Sequence, residues 1–249
     1  MQIRHTLSAV LLALGLAQAA TADEIHAAVA ANFTSPFKAL AAKFKQSSGH
    51  TVTASFGATG KFYTQIIQGA PFDVFYAADR KTPEKLLKEN QAVADSLYTY
   101  ALGKLVLWSK DPAKIDAAGK VLETGSFTHL AIANPKTAPY GAAAEQTLTK
   151  MGLMDAVKDK IVQGESITQA YQFAATGNAE LAFIAYSQLK EGTLPGSQWL
   201  VPADLYSPIE QSAVILKKAE NSEATKAFVT FMRSDDAKAV IESYGYTVQ

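Results

Sequence analysis

The stretch Ala30-Ala31-Asn32-Phe33-Thr34-Ser35-Pro36-Phe37 decides how the chain is read. Before it, Ile25 to Val29 alternates and reads as a strand. After it, Phe37, Leu40, Ala41 and Phe44 recur at helical spacing. Ser35 followed by Pro36 reads as a helix start, a capping hydroxyl and then a residue with no N–H to lose. Asn32 and Thr34 fall in the turn between. A strand that runs into a helix N-terminus presents unpaired N–H groups and the positive end of a helix dipole, which together suit an anion. Every α/β chain has such turns, so the argument needs more of them.

More follow. Gly49 stops the first helix, and His50 to Phe56 reads as a second strand, rich in β-branched residues. It ends in Gly57-Ala58-Thr59-Gly60-Lys61, before a helix with Phe62, Ile66 and Ile67 on one face. The Gly-Lys pair is not a P-loop, because the glycine spacing is too short and Phe62 stands where Ser or Thr is needed. Pro71 to Asp79 reads as a buried strand with acidic ends, and Thr82-Pro83 opens a helix to about Asn90. Leu97 to Trp108 is a long β-rich run broken by Gly103, suited to crossing between two lobes. Asp111 to Thr128 reads as loop.

The pattern then repeats. Leu130 to Ala133 is a strand, Asn134 to Gly141 a turn containing Tyr140, and a helix runs through Leu148. A short strand at Ile161 to Gln163 leads to Glu165-Ser166-Ile167, with Ser166 as the cap of another helix. Ala179 to Ala185 is a strand, Pro195 to Pro202 a loop, and Tyr206 to Leu216 a returning crossing strand whose alternation includes Ile209, Gln211, Ala213 and Ile215. Helices at Glu223 to Met232 and Asp235 to Tyr244 close the chain. The order predicts an α/β fold of two lobes, each with a mostly parallel sheet flanked by helices, joined by two crossover strands. Lobe 1 is expected from residues 23–101 and 209–249, and lobe 2 from residues 102–208. In such sheets ligands sit beyond the carboxyl ends of the strands, where all four turns lie.

The first residues read as a leader. Met1 to Ser8 carries Arg4 and His5 and no acid, Ala9 to Ala17 is apolar but too short to span a bilayer, and small-residue cleavage sites fall between Ala19 and Ala22. Residues 1–22 are therefore expected to be a cleaved signal peptide. The 249-residue chain has no cysteine, so an exported protein would rest on its core and not on disulfides, and it lacks the cysteine a lipid anchor requires. The expectation is a monomer free in a periplasm. Formal net charge is zero, which argues against nucleic-acid or membrane partners.

No enzyme signature is present: no nucleophile elbow, no zinc helix motif, no dinucleotide fingerprint. His26, His50 and His129 are dispersed near strand starts without metal spacing. Asp73 and Asp79, which a hydrolase reading would pair with Thr59, read better as a strand-start residue and a turn cap. What remains is a cleft of neutral donors: the N–H groups of four turns, the Asn32 amide and the Thr59 and Tyr140 hydroxyls. Hydrogen bonds to an ionised ligand contribute about 1.5–3 kcal/mol each, so a dianion needs no formal counter-charge there. Hydrogen phosphate, whose proton wants an acceptor, fits such a site less well than a fully ionised tetrahedral oxyanion.

Several stretches together carry a resemblance: Ala28 to Phe33, Ser55 to Gly60, Gly69 to Phe75 with Ala77-Ala78-Asp79, Ala133-Asn134-Pro135 with Ala138 to Gly141, and Tyr244-Gly245-Tyr246. Over essentially the whole mature chain, the sequence resembles the periplasmic molybdate-binding proteins of the ModA type. The resemblance implies a type II periplasmic binding protein fold and capture of molybdate or tungstate for the permease and ATPase subunits of an ABC importer. It implies no cofactor and no free metal cation, molybdenum being bound only as its oxyanion. Carried over by position, it implies ligand contacts at Ala31, Asn32, Thr59, Tyr140 and Ile167, the last through its main-chain N–H. Ala58 and Gly60 stand where the enteric branch has hydroxyl residues, and Thr59 where serine is usual. Another oxyanion such as sulfate is the alternative ligand for the same cleft.

Overall fold

A computed structural model describes residues 23–191 and 195–248; the expected signal peptide at 1–22 lies outside them. Ten strands form two five-stranded sheets. The first contains β1 (Glu24–Ala30), β2 (Thr51–Gly57), β3 (Val74–Tyr76), β4 (Tyr98–Gly103) and β10 (Ile209–Ile215), in the order β2-β1-β3-β10-β4. The second contains β5 (Leu105–Ser109), β6 (Leu130–Ala133), β7 (Ile161–Gly164), β8 (Leu181–Ala185) and β9 (Ser197–Leu200), in the order β7-β6-β8-β5-β9. We call the first sheet with its helices lobe 1 and the second lobe 2.

Both sheets are mixed within the expected mostly parallel arrangement: in each, four of the five strands run the same way and one runs against them. β1 pairs parallel with β2 and β3, and β6 with β7 and β8. These are the strands joined through helices, and helical crossovers produce parallel neighbours. β10 runs antiparallel to β3 and β4, and β5 antiparallel to β8 and β9. β5 and β10 follow the two crossings between sheets, and each enters its sheet from the opposite direction. The Leu97–Trp108 run divides at Gly103 into β4 of one sheet and β5 of the other.

The helix Thr34–Ser48 buries Phe37, Leu40 and Phe44, the spacing seen in the sequence, and ends at Gly49 with φ +81°. Its start differs from expectation. A 3₁₀ turn, Ala31–Phe33, follows β1 directly, so Ser35 lies inside the helix and not at its cap. The Thr34 hydroxyl donates to the Ala31 carbonyl at 2.7 Å, closing that turn, and Pro36 is tolerated in a first turn whose N–H groups have no helical acceptor. The next helix also begins early, at Thr59 and not Phe62. The Pro195–Pro202 loop contains β9, which alternates buried and exposed residues and puts Trp199 inward. The C-terminal helices Glu223–Met232 and Asp235–Ser243 are capped by the Ser222 and Ser234 side chains.

Lobe 1 buries Phe33, Phe37, Tyr76, Tyr100, Phe228 and Ile241 on one face of its sheet. On the other it buries Phe62, Phe75 and Leu86. In lobe 2, one face holds Trp108 and Ile184. The other carries Leu107, Ile132, Tyr140 and Phe183, and this cluster takes in Ala30, Ala31, Ala58 and Ala78 from lobe 1. The two lobes thus share one packed cluster, built around the carboxyl ends of β1, β2, β3 and β6.

Candidate functional site

Four helix starts meet in that shared cluster. The 3₁₀ turn Ala31–Phe33 leads into Thr34–Ser48; Thr59 is the first residue of Thr59–Ile67; Tyr140 is the second of Pro139–Lys150; Ile167 is the first of Ile167–Ala175. The Ser166 cap, whose hydroxyl accepts from the Gln169 N–H, sets one start as the sequence indicated, whereas the stretch read as turn to Gly141 is already helical from Pro139, whose fixed φ suits a first helical position. Relative exposures are 7% for Ala31, 1% for Asn32, Thr59 and Tyr140, and 3% for Ile167. Ala31, Ala58, Tyr140 and Ile167 belong to one contact cluster, and the Ile167 helix packs on the Ala31–Phe33 turn across the lobe boundary. The first N–H groups of a helix have no intrahelical acceptor, so these buried starts aim donors into a common region.

The side chains divide into committed and available donors. Thr59 Oγ1 accepts the Ala78 N–H at 3.0 Å, which leaves its own proton free to donate. Asn32 is different from expectation: its Nδ2 donates to Gln211 Oε1 at 2.6 Å and to the Tyr246 hydroxyl at 2.9 Å. Both amide hydrogens are engaged, so the donor Asn32 retains is its main-chain N–H. Its carbonyl accepts from Ser187 Oγ at 3.0 Å and from Tyr246 at 2.8 Å. Gln188 Nε2 donates to the Ile167 carbonyl at 3.4 Å. Ser187 and Gln188, in the helix Tyr186–Glu191, therefore pin two of the four starts. The Tyr140 hydroxyl lies against Gly103, where an added Cβ would come within 2.1 Å of it. Burial, reinforced by neighbouring tyrosines, pushes its pKa well above 10, so it is a neutral donor.

Charge is kept away. Among the described residues Asp73 is the one charged side chain in the buried set. It sits at the amino end of β3, accepting the His26 N–H at 2.7 Å and pairing with Lys218 at 3.2 Å. Asp79 caps the Thr82 N–H at 2.6 Å, and burial pushes its carboxyl pKa up. Both acids play the structural roles read from the sequence. Lys61 pairs with Glu165 of the opposite lobe at the rim; with side chains 51% and 62% exposed, such a pair contributes about 0–1 kcal/mol. The lobes also meet where the Gly60 N–H donates to the Thr137 carbonyl at 2.8 Å. The Thr137 hydroxyl at this contact is buried without a partner.

Beside the contact lies a cleft of about 680 Å³ lined by Lys81, Lys85 and Lys136 together with Gly60, Ala78 and Ala138. None of the five sequence-indicated residues lines it; they are buried next to its wall. Among the described residues no group of three His, Cys, Asp or Glu side chains is placed to hold a metal, and no helix is long and apolar enough to cross a membrane.

Residues 25–247 match the family described as bacterial extracellular solute-binding proteins. The chain belongs to that family. Within it, the molybdate-binding protein ModA of Azotobacter vinelandii is 56% identical, over 98% of this chain and 99% of its own length. ModA of Rhodobacter capsulatus is 52% identical, over 99% and 97%. A solved periplasmic molybdate-binding protein of A. vinelandii superposes with a TM-score of 0.87 at 41% identity, covering 90% of this chain and 99% of that one. These likenesses place the chain in the ModA branch and its fold among the two-lobed type II binding proteins.

In a binding protein of this build, the partners missed by sequence reading are Tyr100, Thr137, Ser187, Gln211 and Tyr246. One signal for Gln211 was available: a polar residue on the inward period of Ile209, Ala213 and Ile215. Such a residue must find buried partners.

Proposed function

We propose that this chain is a periplasmic carrier that captures molybdate or tungstate and hands it to the permease and ATPase of an ABC importer. It acts as a single chain, exported by the signal peptide at residues 1–22, and it performs no reaction on its cargo. The observation that carries the reading is the meeting of four buried helix starts, from both lobes, where Thr59 offers a free hydroxyl proton. We assign the ligand contacts to the main-chain N–H groups around Ala31, Asn32, Thr59, Tyr140 and Ile167 and to the hydroxyls of Thr59 and Tyr140. Each helix start acts as roughly half a positive charge. Low polarity around the site strengthens each bond. Hydrogen phosphate would bring a proton into a site made of donors, and a mismatched buried polar group costs about 1–3 kcal/mol.

The test is titration calorimetry of the mature protein with molybdate, tungstate, sulfate and phosphate. Molybdate and tungstate are expected to bind tightly and phosphate weakly. Thr59→Ala is expected to weaken molybdate about 5- to 150-fold, the equivalent of about 1–3 kcal/mol. Tight sulfate or phosphate binding without molybdate binding would overturn the choice of anion.

A further inference from the structure

Gln211 is fully buried on β10, at the point where the β10–β4 register shifts. Its Oε1 accepts from Asn32 Nδ2 at 2.6 Å and from the Tyr100 hydroxyl at 3.1 Å. Its Nε2 donates to the Tyr140 hydroxyl at 3.4 Å. One amide therefore touches a site residue of each lobe. Asn32 follows β1 in lobe 1, Tyr140 opens a helix of lobe 2, and Gln211 stands on the strand that follows the return crossing. Gly103, at the other crossing, makes room for both groups: a Cβ there would lie 2.8 Å from Gln211 Nε2 and 2.1 Å from the Tyr140 hydroxyl. A buried amide is costly unless it is hydrogen-bonded. Part of the satisfaction of this one comes from lobe 2, so it is complete only when the lobes stand in this relation.

We propose that Gln211 is a positioning residue of the anion site, one that holds Asn32 and Tyr140 in register with each other across the lobe boundary. It does not touch the ligand. It turns the Asn32 amide away from the cavity, leaving the main-chain N–H to face it, and it fixes the position of the Tyr140 hydroxyl by donating to it. This inference rests on the anion-binding reading above.

The test is a double-mutant cycle in the whole protein, titrated with sodium molybdate and accompanied by ligand-free thermal melts. Gln211→Met keeps the length of the side chain and removes its hydrogen bonds. Tyr140→Phe and Gln211→Met are each expected to weaken binding about ten-fold. If Gln211 acts through Tyr140, the double variant loses only about ten- to twenty-fold, because the two changes remove one shared function. A purely structural role would lower the melting midpoint and let the losses multiply to about a hundred-fold. Multiplicative loss, or a Gln211→Met protein that binds within about two-fold of wild type, would overturn the proposal. Should the melts show Gln211→Met unfolded, Gln211→Glu carries the same cycle, since the ionised side chain keeps an acceptor for Asn32 and Tyr100 but offers no donor to Tyr140. Wild type that fails to bind molybdate would instead overturn the anion reading itself.

Discussion

Gly141→Ala is expected to lower the thermal midpoint of the ligand-free protein by about 4–8 °C and to weaken anion binding as well. A Cβ at this position would fall 2.2 Å from the Ala133 carbonyl oxygen and 2.7 Å from its carbon, both main-chain atoms at the end of β6. No side chain can rotate out of the way, so the helix Pro139–Lys150 must lift off the strand. Overpacking of this kind costs about 1–3 kcal/mol and occasionally more. Two backbone atoms inside contact distance put this case at the top of that range. Alanine regains about 1 kcal/mol of helix propensity over glycine, too little to reverse the sign. The net deficit of about 2 kcal/mol converts to the stated drop at about 2–4 °C per kcal/mol for a chain of this size. Gly177→Ala is the control: its φ of +83° strains alanine, but the added Cβ meets nothing within 4 Å. Scanning calorimetry of both variants decides the matter. A midpoint for Gly141→Ala within about 2 °C of wild type would show that the helix seat is softer than the geometry indicates.

Alkaline conditions are expected to have the other large effect. Tyr76, Tyr100 and Tyr140 are buried and Tyr98 is partly buried, and desolvation pushes the pKa of each above the ordinary value of 10.0. Tyr76 and Tyr98 share a 2.8 Å hydrogen bond that survives the first ionisation, the phenolate accepting from the remaining hydroxyl, and is lost when both ionise. In the unfolded chain all four titrate near pH 10. Between that pH and the folded pKa the unfolded state has released protons that the native state still holds. Stability is therefore fully present below about pH 10 and falls as pH rises through the folded values, at about 1.4 kcal/mol per pH unit for each tyrosine. Four together amount to about 5 kcal/mol per unit, against a total of about 5–15 kcal/mol. Urea midpoints at pH 8, 9, 10 and 11 should be level at first and then drop sharply. Tyr76→Phe should make that drop shallower. Midpoints that stay level to pH 11 would contradict the burial of these hydroxyls.

Much of the fold was legible because periodicity reports burial. Phe37, Leu40 and Phe44 lie on one buried face as their spacing required, and Ser166 marks a helix start through local chemistry alone. β9 escaped because Pro195, Gly196 and Pro202 bracket a strand of four residues, too short for alternation to stand out. Which strand opposes its neighbours, β10 in one sheet and β5 in the other, was not legible, because strand direction is set by where a crossing strand enters, which no local pattern encodes. The site divides the same way. Main-chain donors need only strand-to-helix turns, and those were readable, although three of the four helices begin earlier in the turn than read. The use of Asn32 was not: its partners Gln211 and Tyr246 lie 179 and 214 residues away, and Ser187 lies 155 away. A side-chain amide read in isolation looks like a donor to ligand; only tertiary packing shows that both of its hydrogens are already committed.

The central claim is that a dianion is held by uncharged donors at four helix starts and not by lysines. Anomalous diffraction at the tungsten edge from crystals of the protein grown with tungstate tests it most directly. The account predicts one tungsten peak between the lobes, with its oxygens about 2.7–3.2 Å from the Thr59 hydroxyl and from main-chain nitrogens of the Ala31–Asn32, Thr59, Tyr140 and Ile167 turns. A peak in the neighbouring cleft against Lys81, Lys85 or Lys136 would contradict it.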